Sequence, residues 1–241
     1  MSRPEELSQW LADQCQPHVA LTDRQREQFS RYMELLLRWN ERVNLTAITA
    51  PRDVYVKHFY DSLTPVLVHD FTGDERLIDV GTGAGFPGIP LKIAFPRLRL
   101  TLLDALKKRI AFLEAVVHEL ALDDVQLIHG RAEDWGRDAR HREQYDMAIS
   151  RAVARLNVLS EYCLPFVRPG GVFVAMKGSD VADEVQEAQR AVRRLGGGAV
   201  ETFSFALPDD AGHRTLCTVR KEKPTPPKYP RAPGVPAKKP L

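Results

Sequence analysis

Residues 77–88 read Leu-Ile-Asp-Val-Gly-Thr-Gly-Ala-Gly-Phe-Pro-Gly, and this segment is the strongest indication of the fold class. A short apolar run ends at Asp79 and Val80, and a turn that contains four glycines follows it. This order is typical of the first strand of a doubly wound sheet, where the chain turns into a crevice at the carboxyl end of the strand. The sequence therefore predicts an α/β fold with a crevice beside Gly81.

Six more apolar runs of strand length follow this one along the chain. They are Leu98–Leu103, Val125–Ile128, Asp146–Ile149, Val172–Met176, Val200–Leu207 and Thr215–Arg220. Helical patterns separate the first five strands, which predicts a parallel sheet with helices on both faces. Residues 208–212 leave no room for a helix between the last two runs, so these runs form an antiparallel hairpin. We expect a mostly parallel seven-stranded sheet closed by that hairpin.

The region before the sheet has helical patterns. Thr22 and Gln25 have the spacing of a capping box, and apolar residues then recur at helical intervals to about residue 40. Pro51 is suited to the first turn of a second helix that ends near Leu63. The sequence thus divides into an N-terminal helical extension (1–70), a sheet domain (71–220) and a C-terminal tail (221–241).

The composition is that of a folded protein. Apolar residues make up 44% of the 241 residues and charged residues 27%. We see no apolar run of the length that a membrane span needs, and the first ten residues lack the apolar core of a signal peptide. The three cysteines are far apart, which predicts reduced structural thiols and no metal site. We expect a cytosolic monomer that contacts no membrane.

The tail differs in composition from the rest of the chain. Residues 220–241 contain seven Lys or Arg, one Glu and seven of the 17 prolines, a net charge of +6, while the whole chain carries +2. Such a segment buries little apolar surface, so we expect a disordered basic tail. It is either a solubilising end or an arm that binds nucleic-acid phosphates, and it has no reason to line the crevice.

The glycine turn fits two nucleotide-like cofactors. Gly83, Gly85 and Gly88 match the dinucleotide pattern G-x-G-x-x-G, and Asp104 follows at the end of the second strand, 21 residues beyond Gly83. S-adenosylmethionine is favoured over NAD because three prolines (Pro87, Pro90 and Pro96) prevent a long phosphate-facing helix, and because the sheet closes with a hairpin. Here Gly81 and Gly83 would let the backbone approach the methionine part, and Asp79 would reach its ammonium through water.

Two acidic positions follow the next strands. The Asp104 carboxylate has the position to accept both ribose hydroxyls, or else to cap the following helix. After the third strand, Ala132 and Glu133 offer a backbone N–H and an acid for the adenine edge. The alternative for this segment is a helix cap at Asp134 with Trp135 packed beside it.

Four motifs then identify a family resemblance. They are Trp39-Asn40-x-x-x-Asn44-Leu-Thr-Ala47, Lys57-His58-x-x-Asp61-Ser-Leu63, residues Asp79–Pro90 and Ile149-Ser-Arg151-Ala152. In this order, across about residues 22–220, the chain resembles the ribosomal small-subunit RNA methyltransferase G family, also called glucose-inhibited division protein B. The tail is not part of the family pattern.

The resemblance implies a class I methyltransferase fold and transfer of a methyl group from S-adenosylmethionine to guanine N7 in a decoding-region loop of 16S ribosomal RNA. It also implies the cofactor contacts Gly81, Phe86, Asp104, Ala105, Leu106, Ala132, Glu133 and Arg151. The role of Arg151 stays open at this point, because the same side chain is equally suited to a salt bridge with a neighbouring acid or to the target guanine.

The motifs that are missing agree with an N7 acceptor. Residues 150–153 read Ser-Arg-Ala-Val, where exocyclic-amine methyltransferases usually have an Asp/Asn-Pro-Pro-aromatic loop. Cys163 lies in an apolar helical run, which indicates a core residue rather than the nucleophile of a cytosine-C5 enzyme. Guanine N7 carries a free lone pair at neutral pH, so no catalytic base is expected. The catalytic residues stay unassigned.

Several polar residues have two interpretations. His58, Asp61 and Ser62 share one helix face and form either a lid over the crevice or a buried cluster that docks the extension. The basic run 107–109 and Lys177 are either phosphate contacts or solvated side chains. For the whole chain, the alternatives are an NAD-dependent oxidoreductase and a non-catalytic RNA-binding module of ribosome assembly.

Overall fold

The computed structural model describes residues 4–16, 18–151 and 153–241, and a seven-stranded sheet lies at its centre. Its strands are β1 (Arg76–Val80), β2 (Arg99–Asp104), β3 (Val125–His129), β4 (Tyr145–Arg151), β5 (Val167–Lys177), β6 (Gly197–Ala206) and β7 (His213–Lys221). The strand order is β3-β2-β1-β4-β5-β7-β6. The first five strands are parallel, and β7 runs antiparallel to both β5 and β6. The predicted α/β sheet and its closing hairpin are confirmed.

Helices cover both faces of this sheet. They are α1 (Pro4–Cys15), α2 (Asp23–Val43), α3 (Pro51–Val54), α4 (Asp61–Leu63), α5 (Gly88–Ala94), α6 (Lys107–Glu119), α7 (Ala132–Trp135), α8 (Leu156–Cys163), α9 (Ala182–Arg194) and α10 (Val235–Lys238). None of the helices within the described ranges is long and apolar enough to cross a membrane.

The two faces have separate hydrophobic cores. Because side chains alternate along a strand, Leu77 packs into the core under the N-terminal helices, α5 and α6, whereas Ile78 packs into the core under α8 and α9. Both side chains are fully buried. The alternation fixes the register of β1. Because β1 is parallel to β2 and β4, its carboxyl end and the glycine turn after it lie at the same end of the sheet as the carboxyl ends of those strands.

The N-terminal extension packs directly on the sheet domain. The predicted capping box is present at Thr22 and Gln25, and the side-chain amide of Gln25 also donates to the carbonyl of Ile93 at 2.7 Å. The Tyr32 hydroxyl donates to the carbonyl of Ala84 in the glycine turn. The extension and α5 therefore share one core, and the boundary at residue 70 stays a prediction.

The second predicted helix has an irregular centre. It begins with α3, continues as a π-helical segment at Tyr55–Tyr60 and ends with α4 and a 3₁₀ turn at Thr64–Leu67. π-Helical segments of this kind are common at functional sites because they redirect side chains. Here the segment contains Lys57 and His58, and both face the crevice.

The C-terminal tail contradicts the prediction of a disordered segment. Residues 222–241 pack along the face of the sheet that carries α7 and α8, and Thr225 and Tyr229 are buried. The expectation from composition is wrong because specific partners compensate for the missing apolar surface. The strongest is an ion pair between Arg231 and the buried Glu161, 70 residues away.

Candidate active site

A cavity of about 740 Å³ lies at the carboxyl ends of the parallel strands. A side cavity of about 120 Å³ adjoins it and shares Gly81, Asp104, Ala105 and Val153 with it. All nine predicted site residues line one or both cavities. The main cavity contains Gly81, Gly83, Phe86, Asp104, Ala105, Leu106 and Arg151, and the side cavity contains Ala132 and Glu133. The structure thus brings the predicted residues together.

The glycine turn exposes its backbone to the cavity. Gly81 and Gly83 have φ angles of +73° and +63°, a region that glycine adopts without strain. A Cβ atom on Gly81 would lie 2.7 Å from Cγ2 of Val153, whereas one on Gly83 would meet no atom within 4 Å. The space beside Gly83 is therefore open to a ligand.

Asp79 holds this turn from behind. Its Oδ2 accepts hydrogen bonds from the Thr82 hydroxyl at 2.7 Å and from the backbone N–H of Gly88 at 2.9 Å. The carboxyl group is fully buried and does not line the cavity, so the structure does not support the expected water-mediated contact with an ammonium. Burial raises the pKa of Asp79 to about 7, although both hydrogen bonds oppose that shift.

Asp104 connects the glycine turn to the beginning of α6. Its Oδ2 accepts from the Gly83 N–H at 2.9 Å and from Nη1 of Arg109 at 3.1 Å, and its Oδ1 accepts from the Leu106 N–H at 2.9 Å. A carboxylate oxygen can accept two hydrogen bonds, so Oδ1 has room for one more donor. For both carboxylate oxygens of Asp104 to accept from ribose hydroxyls, the partly exposed Arg109 side chain has to move away from Oδ2.

The opposite wall is built around a buried ion pair. Nη1 of Arg151 lies 2.9 Å from Oδ2 of Asp61, and its guanidinium also stacks 5.0 Å from the centre of the Phe86 ring. Asp61 Oδ1 has no hydrogen-bond partner, and Nε of Arg214 lies 3.5 Å from it. The salt-bridge interpretation of Arg151 is correct, and the same side chain lines the cavity.

His58 lies between these groups and the glycine turn. Its ring stacks on Phe86 with a centroid distance of 4.5 Å, and its Nε2 hydrogen-bonds to the Thr46 hydroxyl at 2.8 Å. Burial lowers the pKa of His58 to about 3, and the positive charge of Arg151 adds to this shift. The imidazole is neutral at physiological pH. The interpretation as a buried docking cluster is confirmed, because Asp61 and Ser62 are buried and Asp61 pairs with Arg151 of the sheet. His58 and Asp61 also line the cavity, and a lid stays a prediction.

Other predicted polar residues have structural partners. The Lys177 ammonium binds the Glu184 carboxylate at 2.8 Å and the Ala154 carbonyl at 2.7 Å, although the residue also lines the cavity. Cys163 is fully buried, and burial raises the pKa of its thiol well above the usual value, as expected for a core residue. Ala152, the last residue of the fourth motif, lies outside the described residues.

Sequence reasoning missed Arg214 and Val153 as cavity residues. Arg214 comes from β7, and no local pattern marks an arginine in a hairpin strand as a neighbour of the glycine turn. Val153 was noted only because residues 150–153 stand where an Asp/Asn-Pro-Pro-aromatic loop is usual in exocyclic-amine methyltransferases. Its position beside Gly81 was not predicted. A signal was available for Val153, because it follows directly after the motif that ends at Ala152.

The residues present fit S-adenosylmethionine. Leu106 and Val153 are 44% and 40% exposed, which is unusual for large apolar side chains, and both line the cavity where an adenosine would cover them. Asp104 supplies an acceptor for ribose hydroxyls, and Arg151 supplies a donor for the carboxylate of an amino acid group. The open space at Gly83 accommodates the chain between these two ends.

Comparisons with known proteins agree with this geometry. The family model for rRNA small subunit methyltransferase G matches residues 25–210. A ribosomal RNA small subunit methyltransferase G from Staphylococcus aureus is 52% identical over 97% of this chain and 98% of its own length. The enzyme of the same name from Brevibacillus brevis is 51% identical over 92% of this chain and 94% of its own.

The fold also resembles that of a solved structure outside the family. A SAM-dependent O-methyltransferase from Thermotoga maritima superposes with a TM-score of 0.54 at 16% identity, covering 79% of this chain and 72% of that one. At this identity the likeness shows the class I methyltransferase fold alone. The family match and the two bacterial relatives show more, and the chain belongs to the rRNA small subunit methyltransferase G family.

Proposed function

We propose that this S-adenosylmethionine-dependent methyltransferase of small-subunit ribosomal RNA transfers the methyl group to N7 of a guanine in the decoding-region loop of 16S RNA. The family membership favours a methyltransferase over the two alternatives, an NAD-dependent oxidoreductase and a non-catalytic RNA-binding module. The choice of N7 rests on the chemistry of the cavity.

The observation that carries the proposal is the lack of a suitable base. Among the residues that the structure describes along the main cavity, burial lowers the pKa of His58 to about 3. The remaining acids and lysines are ion-paired: Asp61 with Arg151, Asp104 with Arg109, Lys57 with Asp53 and Lys177 with Glu184. A general base works best when its pKa lies near the pH of the reaction. Guanine N7 needs no deprotonation, whereas an exocyclic amine must lose a proton during methyl transfer.

The cavity wall divides into two halves with different chemistry. We place the cofactor along the glycine turn, with Gly81, Gly83 and Asp104 beside its amino acid and ribose parts and Ala132 and Glu133 beside its adenine. When bound, S-adenosylmethionine supplies an electrophilic methyl group on a sulfonium. The chain's own contribution is to align the acceptor with that group and to exclude water.

The other half is suited to the target base and its phosphates. Thr46, His58 and Asp61 line it from the N-terminal extension, and Arg214 lines it from β7. The stacked pair of His58 and Phe86 offers an aromatic surface, and the flanking cations Lys57 and Arg214 suit the negative charge of RNA. Asp61 Oδ1 has no hydrogen-bond partner, although Nε of Arg214 lies 3.5 Å from it, and such an acceptor suits the N–H donors of a guanine.

The acceptor atom can be tested by replacing one atom of the RNA. We would place 7-deazaguanosine, which has C–H instead of N7, at the modified position of a small-subunit substrate and measure transfer from labelled cofactor. Transfer should stop with the 7-deaza base and continue with guanosine in the same RNA. An undiminished rate on the 7-deaza base would show that another atom accepts the methyl group.

We also infer that the chain acts as a monomer in the cytosol. Within the described residues, the exposed large apolar side chains are Leu106, Val153 and Phe203, and the first two belong to the cavity. Permanent dimers bury large apolar surfaces, and this distribution offers little for one. Sedimentation velocity should give a single species of 27.2 kDa, and a species of twice that mass would contradict the inference.

A further inference from the structure

We propose that residues 222–241, here called the C-terminal strap, set the affinity for the cofactor by positioning Glu133. The inference rests on the proposed location of the cofactor in the crevice and assigns a role to a segment that lies beyond residues 25–210, the range that the family model matches. Gly234 contacts Glu133 directly, and Arg231 holds the strap in place through Glu161.

The strap touches the crevice wall at one backbone group. The N–H of Gly234 donates a 2.9 Å hydrogen bond to Oε1 of Glu133, whose side chain is only 3% exposed. Glu133 lines the side cavity together with Gly81 and Asp104. A buried carboxylate needs hydrogen-bond donors, so the strap stabilises Glu133 in the conformation that forms this wall.

A second contact holds the strap in place next to that wall. The Glu161 carboxylate, which is fully buried, accepts from the Arg231 backbone N–H at 2.7 Å and from its Nε and Nη2 at 2.9 and 2.6 Å. Nη1 of Arg231 donates to the Lys239 carbonyl at 2.7 Å, which folds the end of the strap back on itself. Tyr162, the neighbour of Glu161, also lines the side cavity.

The strap is fixed at its beginning as well. Arg142 donates to the carbonyls of Thr225 and Tyr229 at 2.6 and 2.7 Å, and Nε of Arg137 donates to the Pro230 carbonyl at 2.7 Å. Arg137 follows α7 by two residues. The strap therefore contacts Glu133 itself and the segment that follows it.

These contacts have a consequence for α7. This helix has only four residues, and so short a helix has no stability of its own in water. Its position depends on tertiary contacts, and the strap supplies the hydrogen bond to its Glu133 and contacts the loop that follows it. Without the strap, we expect Glu133 to turn towards solvent and the adenine side of the crevice to lose its shape.

The test is a double-mutant cycle read out by binding of S-adenosylhomocysteine, the demethylated cofactor, in calorimetry. The variants are a truncation after Arg231, Glu133→Ala in the full chain, and the two together. Truncation should raise the Kd for S-adenosylhomocysteine about tenfold, the change expected for one charge-assisted hydrogen bond. If the strap acts through Glu133, truncation in the Glu133→Ala background should have no further effect.

Three further measurements separate positioning from a general loss of structure. Glu133→Gln retains an oxygen acceptor for Gly234 and should keep most of the affinity. Lys238→Ala changes an exposed strap residue and should bind like the parent. At saturating cofactor, the single-turnover rate of the truncated chain should equal the parental rate, since none of the strap contacts described above involves Thr46, His58, Asp61 or Arg214.

If the truncated chain does not fold by circular dichroism, Arg231→Gln replaces it in the cycle, because it breaks the ion pair with Glu161 that holds the strap beside Glu133. Additive losses in the cycle, or an unchanged Kd in the folded strap variant, would overturn the proposal. Asp104→Ala distinguishes a failure of the strap inference from a failure of the proposed cofactor site. If it weakens binding while the strap variants do not, only the strap inference fails; if neither weakens binding, the cofactor lies elsewhere.

Discussion

Nη1 of Arg151 donates a 2.9 Å hydrogen bond to Oδ2 of Asp61 and so joins the end of β4 to helix α4 across the cavity. The two side chains are 13% and 4% exposed. This pair connects the N-terminal extension with the sheet domain at the place where the acceptor base is proposed to bind. The pair matters for stability because both side chains are buried. Removing one partner leaves the other charge buried and unpaired, which strongly destabilises the folded chain.

The first prediction compares this pair with an exposed one. Asp61→Ala should lower the free energy of unfolding by about 3–5 kcal/mol, because it leaves the Arg151 guanidinium buried without a counter-charge. Asp53→Ala removes the partner of Lys57 on the same helical segment, where both side chains are largely solvated, and should cost less than about 1 kcal/mol. Urea denaturation of both variants checks the difference, and equal losses would show that the Asp61 pair is not desolvated in solution.

The second prediction separates two glycines of the turn. Gly83→Ala should reduce the stability by only about 1–2 kcal/mol, the cost of a positive φ, because its Cβ meets no atom. The added methyl group projects into open space beside the proposed cofactor, so binding of S-adenosylhomocysteine should fall at least about tenfold, as overlap with a bound ligand requires.

Gly85→Ala is the matched control for this pair. Its Cβ would lie 2.6 Å from the Tyr32 hydroxyl and 2.7 Å from Cγ1 of Ile89, so overpacking adds about 1–3 kcal/mol to the same backbone strain. Urea unfolding and calorimetry measure both quantities. Parental affinity in Gly83→Ala would mean that this glycine does not face the cofactor.

The third prediction concerns acid stability. Burial lowers the pKa of His58 to about 3, while in the unfolded chain the imidazole takes up a proton near its ordinary pKa of 6.5. Between these values the unfolded chain binds more protons, so the free energy of unfolding falls as the pH drops through this window. Relative to His58→Gln, the parent should lose up to about 1.4 kcal/mol per pH unit below 6.5.

Urea denaturation at several pH values from about 7.5 to 4.5 isolates this effect, because both proteins share every other titrating group. The glutamine amide retains a group for the Thr46 hydroxyl. Parallel stability curves for the two proteins would indicate that His58 is protonated as easily in the folded chain as in the unfolded one.

The fourth prediction is kinetic. If guanine N7 attacks without a base, the single-turnover rate at saturating RNA and cofactor should be nearly constant from about pH 7.5 to 9. This range lies above the pKa of about 7 that burial gives Asp79 behind the glycine turn. A rate that rises tenfold per pH unit would indicate an acceptor that must be deprotonated.

The elements that sequence patterns predict well are those defined by local rules. Each parallel strand appears as an apolar run, and the hairpin follows from the lack of room for a helix between β6 and β7. The capping box of α2 involves residues only three apart. The glycine turn is equally local, so the crevice and the residues around Gly81 and Asp104 could be located before the structure.

Features that depend on distant partners could not be predicted in this way. The composition gives the number of charges in the tail. It does not reveal that Arg231 forms an ion pair with the buried Glu161, 70 residues away. The partner of Arg151 and the approach of Arg214 depend on how the extension and the hairpin pack. Helix α1 was also missed, although Leu7, Leu11 and Cys15 recur every fourth residue and are buried.

The strand order has a consequence for how the protein is made. β7, the last strand to be synthesised, lies between β5 and β6 rather than at an edge. Until it leaves the ribosome, β6 has no partner strand and β5 has one open edge, and unpaired edges promote association between chains. A nascent chain therefore cannot finish its sheet before residues 213–221 emerge, and a chain that ends before His213 has a gap inside its sheet.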